Sequence, residues 1–236
     1  MFGGALLEVA IIDSGVTPGH PHLADAVIRG FALHGDAPPL ARSADSSDVT
    51  GHGTAVAAAL HRLCPTVPLL CIRLLDDALT TTTAALCAAI RAAADEGARI
   101  LNLSLGSGRA EAQEPLAAAI DHAAQRGAIC VAAAHPRGRV LFPADLDTVI
   151  SVTTHRSCPL ADLLVVPGPR PRFLAHGFPR PIEGRPPTDN FFGPSFAAVH
   201  VAARVARLLI DAPELGFDDV VAALHAQASG TWQESA

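Results

Sequence analysis

Gly193-Pro194-Ser195-Phe196-Ala197-Ala198-Val199-His200-Val201-Ala202-Ala203, continued by Arg204-Val205-Ala206-Arg207-Leu208-Leu209, is the stretch on which the fold turns. It is apolar or small on nearly every side, the pattern of a long helix buried all round. Pro194 suits the first helical turn, where its missing N–H removes no intrahelical bond. Ser195 follows where backbone N–H groups have no partner inside the helix and the macrodipole is positive. Two readings of its hydroxyl stand open. It can be an N-cap, or a nucleophile whose own N–H faces the oxyanion it creates. The choice depends on Asp and His partners elsewhere in the chain.

Outward from that helix, short apolar runs alternate with helical ones. Glu8-Val9-Ala10-Ile11-Ile12 reads as a buried strand ending at Asp13-Ser14-Gly15. Thr17 to His22 is a turn, and Gly30 to Val49 is polar enough to be a surface loop. Gly51-His52-Gly53-Thr54 opens a helix over Ala55 to Leu63; Val67 to Leu75 is the second strand, and Ala84 to Glu96 a helix stopped by Gly97. Arg99 to Leu105 and Ala128 to Ala134 are strands around a helix over Ala112 to Arg126, and Val149 to Thr153 and Leu163 to Val166 are two more. Pro169 to Pro187, loaded with Pro, Arg and Gly, is expected to be irregular, with a last helix over Phe217 to Gln227 and a frayed tail after Ser229. The alternation predicts an α/β fold with a mostly parallel central sheet flanked by helices on both faces. Sites in such folds lie beyond the carboxyl ends of strands. Asp13 ends a strand, while His52 and Ser195 each open a helix, so three chemically suitable residues fall on one side of one sheet.

The 236 residues suffice for one large domain, and half of them are apolar, as in a globular protein. One domain over 1–236, with its core at about 8–210, is expected. A net charge of −6 argues against general nucleic-acid or anionic-membrane binding. The start Met1-Phe2-Gly3-Gly4-Ala5-Leu6-Leu7 is not basic and is not read as a signal peptide, and no apolar run approaches the ~20 residues of a membrane span. Cys64, Cys71, Cys87, Cys130 and Cys158 are odd in number and lack CxxC spacing, which suits reduced core thiols in a cytoplasmic protein. Asp36, Asp45 and Asp48 lack the spacing of a calcium cage and are expected to be solvated loop acids. No histidine has metal-ligand spacing, so no metal and no cofactor are expected.

Ser, His and Asp can form a relay in which His takes the serine proton and Asp fixes the His tautomer. Three motifs carry them here in the order Asp13, His52, Ser195: Val9-Ala10-Ile11-Ile12-Asp13-Ser14-Gly15-Val16, Gly51-His52-Gly53-Thr54-Ala55-Val56-Ala57 and Gly193 to Ala202. With Ile100-Leu101-Asn102-Leu103-Ser104-Leu105-Gly106 and Gly127-Ala128-Ile129-Cys130-Val131-Ala132-Ala133-Ala134, the chain resembles the subtilisin family of serine proteases over roughly residues 8 to 210. The resemblance implies a three-layer subtilisin-like fold. It makes Ser195 the nucleophile, His52 the general base and then acid, and Asp13 the group that orients His52. It implies that Ser104, Leu105 and Gly106 pair with a peptide substrate as an added strand, that residues near Leu74 to Leu79 line its other side, and that Ala133 and Leu141 border the pocket. His200 matches a family histidine with a structural role.

Departures from the family pattern shape the expectations. Where the family carries Gly-Asn after its Ala-Ala strand end, this chain has His135-Pro136-Arg137-Gly138, so Pro136 takes the place of an oxyanion-donating Asn. His135 is the candidate substitute donor. Pro194 stands where a Thr is usual, and Leu141 where a glycine usually leaves the pocket open, which predicts a shallow or reshaped pocket suited to a small residue or a special sequence. Asp13 lies so near Met1 that no propeptide is expected. Two classes of function remain: a cytoplasmic endopeptidase of narrow specificity, such as one maturing a precursor (leader) peptide, and a pseudoprotease that binds without hydrolysing. A subunit completed by a protein partner, docked on Pro169 to Pro187, is a third. Neither nucleic acid nor membrane is an expected partner.

Overall fold

The computed structural model describes residues 7–232, so the start Met1–Leu6 and the last residues of the tail lie outside it. Ten strands form one sheet in the order β10-β8-β9-β7-β6-β5-β1-β4-β2-β3. They are β1 (Val9–Asp13), β2 (Ile28–His34), β3 (Ala41–Ser43), β4 (Leu69–Arg73), β5 (Ile100–Leu103), β6 (Ile129–Ala133), β7 (Ile150–Thr154), β8 (Leu163–Val165), β9 (Arg172–Ala175) and β10 (Gly230–Thr231). The helices are α1 (His52–Leu63), α2 (Thr83–Asp95), α3 (Gln113–Gln125), α4 (Pro194–Asp211) and α5 (Phe217–Gln227).

The central strands are parallel, and β1 is buried along its whole length because helices cover both of its faces. Val9 and Ile11 face α1 and α4, whereas Ala10 and Ile12 face α2 and α3. This period-two division runs through β4, β5 and β6 and produces two apolar layers with the sheet between them. α4 is buried along eleven of its residues, as its all-round apolar pattern requires.

Three stretches differ from the sequence expectation. β2 and β3 lie within or overlap the polar stretch read as a loop, and pair antiparallel, Ala32 with Ser43 and His34 with Ala41. Only Phe31 and Ala32 of β2 are buried, so the apolar alternation is too short to register. What closes this edge is charge: Arg29 bonds Glu8 and Glu96, Arg42 reaches Glu96, and the Arg42 guanidinium lies 3.6 Å from the Phe31 ring centroid. β9 lies inside the stretch read as irregular. Its Phe173 and Leu174 are buried between β7 and β8, a run hidden by the surrounding Pro and Arg residues. At the tail, Gly230 and Thr231 pair with β8 rather than fray, and the Trp232 N–H donates to the Val165 carbonyl at 2.7 Å.

β1 is flanked by β4 on one side and β5 on the other, and the chain order reverses there. Crevices at such a switch point open at the carboxyl ends of the strands. α1 starts at that crevice and packs closely on the turn after β1: a Cβ at Gly53 would collide with the Gly15 carbonyl oxygen and press on Asp13. Gly53→Ala is therefore expected to lose about 1–3 kcal/mol of stability by overpacking, read as a lower midpoint in urea unfolding.

Candidate active site

Asp13 ends β1 and is 1% exposed, so its carboxylate needs partners. Oδ1 accepts from the Ser14 N–H at 2.8 Å and meets His52 Nδ1 at 2.7 Å. His52 is the first residue of α1. Its ring packs on Phe196, centroids 5.1 Å apart, and Phe196 directly follows Ser195 in the first turn of α4. The fold thus brings Asp13, His52 and Ser195 to one crevice. The Ser195 hydroxyl donates to the Ser104 carbonyl at 3.3 Å; among the described residues, this takes the place of the Ser195–His52 bond that a complete relay makes. Such bonds often align only when substrate is bound.

Burial works against a charged His52, but the hydrogen bond and charge of Asp13, with Asp48 adding, outweigh it and raise the pKa above the usual 6.5. The arrangement can therefore hold a proton on His52 once the serine has released it.

Asp48 is a correction to the sequence reading. It is no solvated loop acid but the group that fixes the start of α1. Its Oδ1 accepts from the Ser14 hydroxyl at 2.8 Å and from the N–H groups of Thr50 and Gly51, and its Oδ2 accepts from the Thr54 N–H at 2.8 Å. Ser14 Oγ in turn accepts from the Gly53 N–H at 3.0 Å. The unpaired donors of the first helical turn are met by side chains from outside the helix, and His52 is aimed by that network. Although burial alone would raise it, the bonds from Thr54, Thr50 and Ser14 hold the Asp48 carboxyl below its usual value.

The substrate-binding candidates divide. Ser104, Leu105 and Gly106 follow β5 and stand outside any strand pairing, up to a bridge between Ser107 and Phe142. Leu105 packs into the layer of α2 and α3, while Gly106 is exposed. Leu141 lies directly over Gly106: a Cβ there would meet the Leu141 Cγ at 3.0 Å and collide with the Phe142 carbonyl. The position of Leu141 is set from behind, because its N–H donates to Asp145 Oδ2 at 2.8 Å and the buried Asp145 is held by Arg172 at 2.7 Å and Arg170 at 3.2 Å. Ala133 does not border the surface; at 4% exposure it sits in the core with α4. His135 is not turned toward the serine. Its Nδ1 lies 3.0 Å from the Arg137 N and its Nε2 2.8 Å from the Arg139 guanidinium; a neutral ring accepts at one of these, so the ring faces its own loop. Pro136, beside it, is exposed and has no donor to offer.

Two further supports complete the site: Phe191, which went unread in the sequence, and His200, which was expected to be structural. Phe191 stands edge-on to His52 at 5.9 Å and stacks on Phe196 at 5.7 Å, while being 45% exposed itself. His200 on α4 shares a hydrogen bond with the Phe178 carbonyl at 2.9 Å, and burial lowers its pKa to about 4. It is therefore a neutral ring whose N–H donates, and it ties the segment leading to Ser195 onto α4. The Phe191-Phe192 pair just before Gly193 was the available signal for the aromatic wall.

Comparison with known proteins agrees with this geometry. The family described as the subtilase family matches residues 4–234. Thermitase of Thermoactinomyces vulgaris is 31% identical over 164 residues, 64% of this chain and 56% of that protein, so the match spans little more than half of this relative. Subtilisin DY of Bacillus licheniformis is 27% identical over 237 residues, 93% of this chain and 82% of that one. Among solved structures, a cold-adapted subtilisin-like serine proteinase superposes with a TM-score of 0.72 at 22% identity, over 95% of this chain and 86% of that chain. The prenylagaramide maturation protease PagA superposes with a TM-score of 0.67, also at 22% identity, over 93% and 82%.

Two outcomes are expected. Because the Asp48 carboxyl is depressed in the folded state, its contribution is present above the ordinary 3.8 and fades as pH falls through the lowered value. Asp48→Asn should therefore cost about 2 kcal/mol at neutral pH, with the gap from wild type closing in acid, as followed by chemical unfolding at several pH values. If His52 must be neutral to act, the acid limb of kcat/KM should lie above pH 6.5, and Asp13→Asn should move it down while lowering kcat by about four orders of magnitude.

Proposed function

This chain belongs to the subtilase family, and on that premise we propose that it is a serine endopeptidase using Asp13, His52 and Ser195. The observation that carries the proposal is the 2.7 Å bond between buried Asp13 and His52, with the His52 ring lying on the helical turn that bears Ser195. Ser195 Oγ adds to the carbonyl carbon of a peptide bond and passes its proton to His52 Nε2. The carbonyl electron pair becomes an oxyanion, which the Ser195 N–H faces from the first turn of α4. As the oxyanion collapses, the C–N bond breaks and His52 returns the proton to the leaving amine. Water then repeats the two steps on the acyl-serine and frees the enzyme.

Narrow specificity is part of the proposal. Ser104 to Gly106 offer a backbone outside any strand pairing for a substrate strand, and Leu141 fills the space over Gly106 into which a large side chain before the cut would point. A small residue there fits best. PagA, one of the structural neighbours, is described as a maturation protease. A confined pocket with one oxyanion donor suits the same kind of role, in which a single domain over 1–236 cuts a precursor (leader) peptide once in the cytoplasm. Among the described residues no helix is long and apolar enough to cross a membrane.

A second reading rests on a specific observation. The Ser195 hydroxyl is turned to the Ser104 carbonyl and Pro136 supplies no oxyanion donor, as suits a pseudoprotease that binds peptides or awaits a partner. A fluorophosphonate probe separates the two. Labelling of wild type that disappears in Ser195→Ala and falls in His52→Ala marks an active nucleophile; no labelling of wild type marks the binding protein.

If the protein is an active peptidase, peptides with Ala or Gly before the cut should be cleaved in preference to those with Phe or Leu. Leu141→Gly should raise kcat/KM for Phe by about tenfold or more. Pro136→Asn should raise kcat by about a hundredfold, the usual worth of one oxyanion donor.

A further inference from the structure

A cavity of about 640 Å³ opens beside His52, and Ser104 to Gly106 take no part in its lining. It shares Gly51, Thr54 and Phe191 with the surroundings of that histidine. Its direction relative to the cut follows from the chemistry. The leaving amine must face His52 to receive its proton, so the chain beyond the cut departs across His52, past Phe191 and into this cavity.

The polar part of the lining is rich in donors. His20, His22 and Arg180 converge on it, each of them half-buried. His20 Nδ1 accepts the His22 N–H at 3.2 Å, which places the proton of a neutral His20 ring on Nε2 and leaves that nitrogen a donor. The two rings stand edge to face, centroids 5.0 Å apart. Arg170 and Arg172 are held by Asp145 and Asp147, but Arg180 pairs with no carboxylate among the described residues. It lies close enough to His22 to act on it: after burial, the nearby Arg180 charge is the main influence lowering the His22 pKa, with His20 third. The acid on the lining, Asp189, is exposed. Ala55, Ala58 and Ile182 supply an apolar floor. A half-buried guanidinium without a partner, two imidazoles and an apolar floor suit a side chain with an aliphatic stem and an anionic end.

We infer that this cavity binds a carboxylate on the segment downstream of the cut, held by Arg180 with His20 and His22, and so selects acidic leaving segments. The source is either an Asp or Glu side chain or the free C-terminus of a short leaving peptide. The direction of the chain rests on the peptidase reading given above, whereas the carboxylate site rests on the cavity alone.

The test uses one peptide frame with Ala before the cut and Ser-Xaa-Ala after it, where Xaa is Glu, Gln or Lys, each made as C-terminal acid and amide. Two readouts are taken: kcat/KM with the wild-type chain, and fluorescence-anisotropy binding to Ser195→Ala. Glu is expected to exceed Lys by about tenfold in both, with Gln between, as for a partly buried charged hydrogen bond. Arg180→Gln should flatten the series at an unchanged thermal midpoint, and Arg180→Lys should restore part of it; should Arg180→Gln fail to fold, His22→Gln serves in its place. A dependence on acid against amide at constant Xaa assigns the site to the C-terminus, and a dependence on Xaa assigns it to the side chain. Equal or absent binding and equal cleavage across all the peptides overturns the inference, as does a preference that survives in Arg180→Gln. Cleavage without charge preference removes the carboxylate site and leaves the peptidase standing. Charge-dependent binding without cleavage or fluorophosphonate labelling keeps the site and removes the peptidase.

Discussion

The hydrogen bond between Asp13 and His52 sits where the chain reverses its winding, and much of the molecule is arranged to make it possible. Asp13 can be buried as a charge because the Ser14 N–H donates to it and the end of β1 lies against the first turn of α1, whose imidazole faces it. That approach is close enough to exclude any side chain at Gly53. The first N–H groups of α1 have no partners within the helix, and Asp48 and Thr50 from the preceding loop and Ser14 from the end of β1 meet them. One carboxylate aligns the imidazole, and a second aligns the helix that carries it. Ser14 joins the two, its N–H donating to Asp13 and its hydroxyl to Asp48.

The same crevice is restrained on its other side. Leu141 over Gly106 is not an isolated bulky residue; it is held from behind by Asp145, and Asp145 by two arginines of and beside β9. The wall is therefore anchored to the sheet, so its shape is fixed in advance of substrate.

The sequence was most legible where chemistry is local. Asp13, His52 and Ser195 each stand in a run of neighbours that fixes their backbone setting, and the alternation of apolar runs was enough to place them on one side of a parallel sheet. It was least legible where partners are remote. Asp48 looks like any loop acid until Ser14 and Thr54 are brought to it from both sides. β2 and β3 have too few buried positions to show a period, and their edge is closed by Arg29 and Arg42 reaching Glu96 across some fifty and more residues of chain. His135 failed as a substitute donor for a similar reason: its orientation is decided by Arg137 and Arg139, which no spacing rule ranks against the serine.

α4 has a consequence for how the protein can fail. Its first turn carries Ser195 and its remaining length is threaded through the apolar layer between the sheet, α1 and α5. A shift of the helix opens that layer, so the backbone setting of Ser195 is tied to the packing of the core. Unfolding of α4 takes the setting of Ser195 with it.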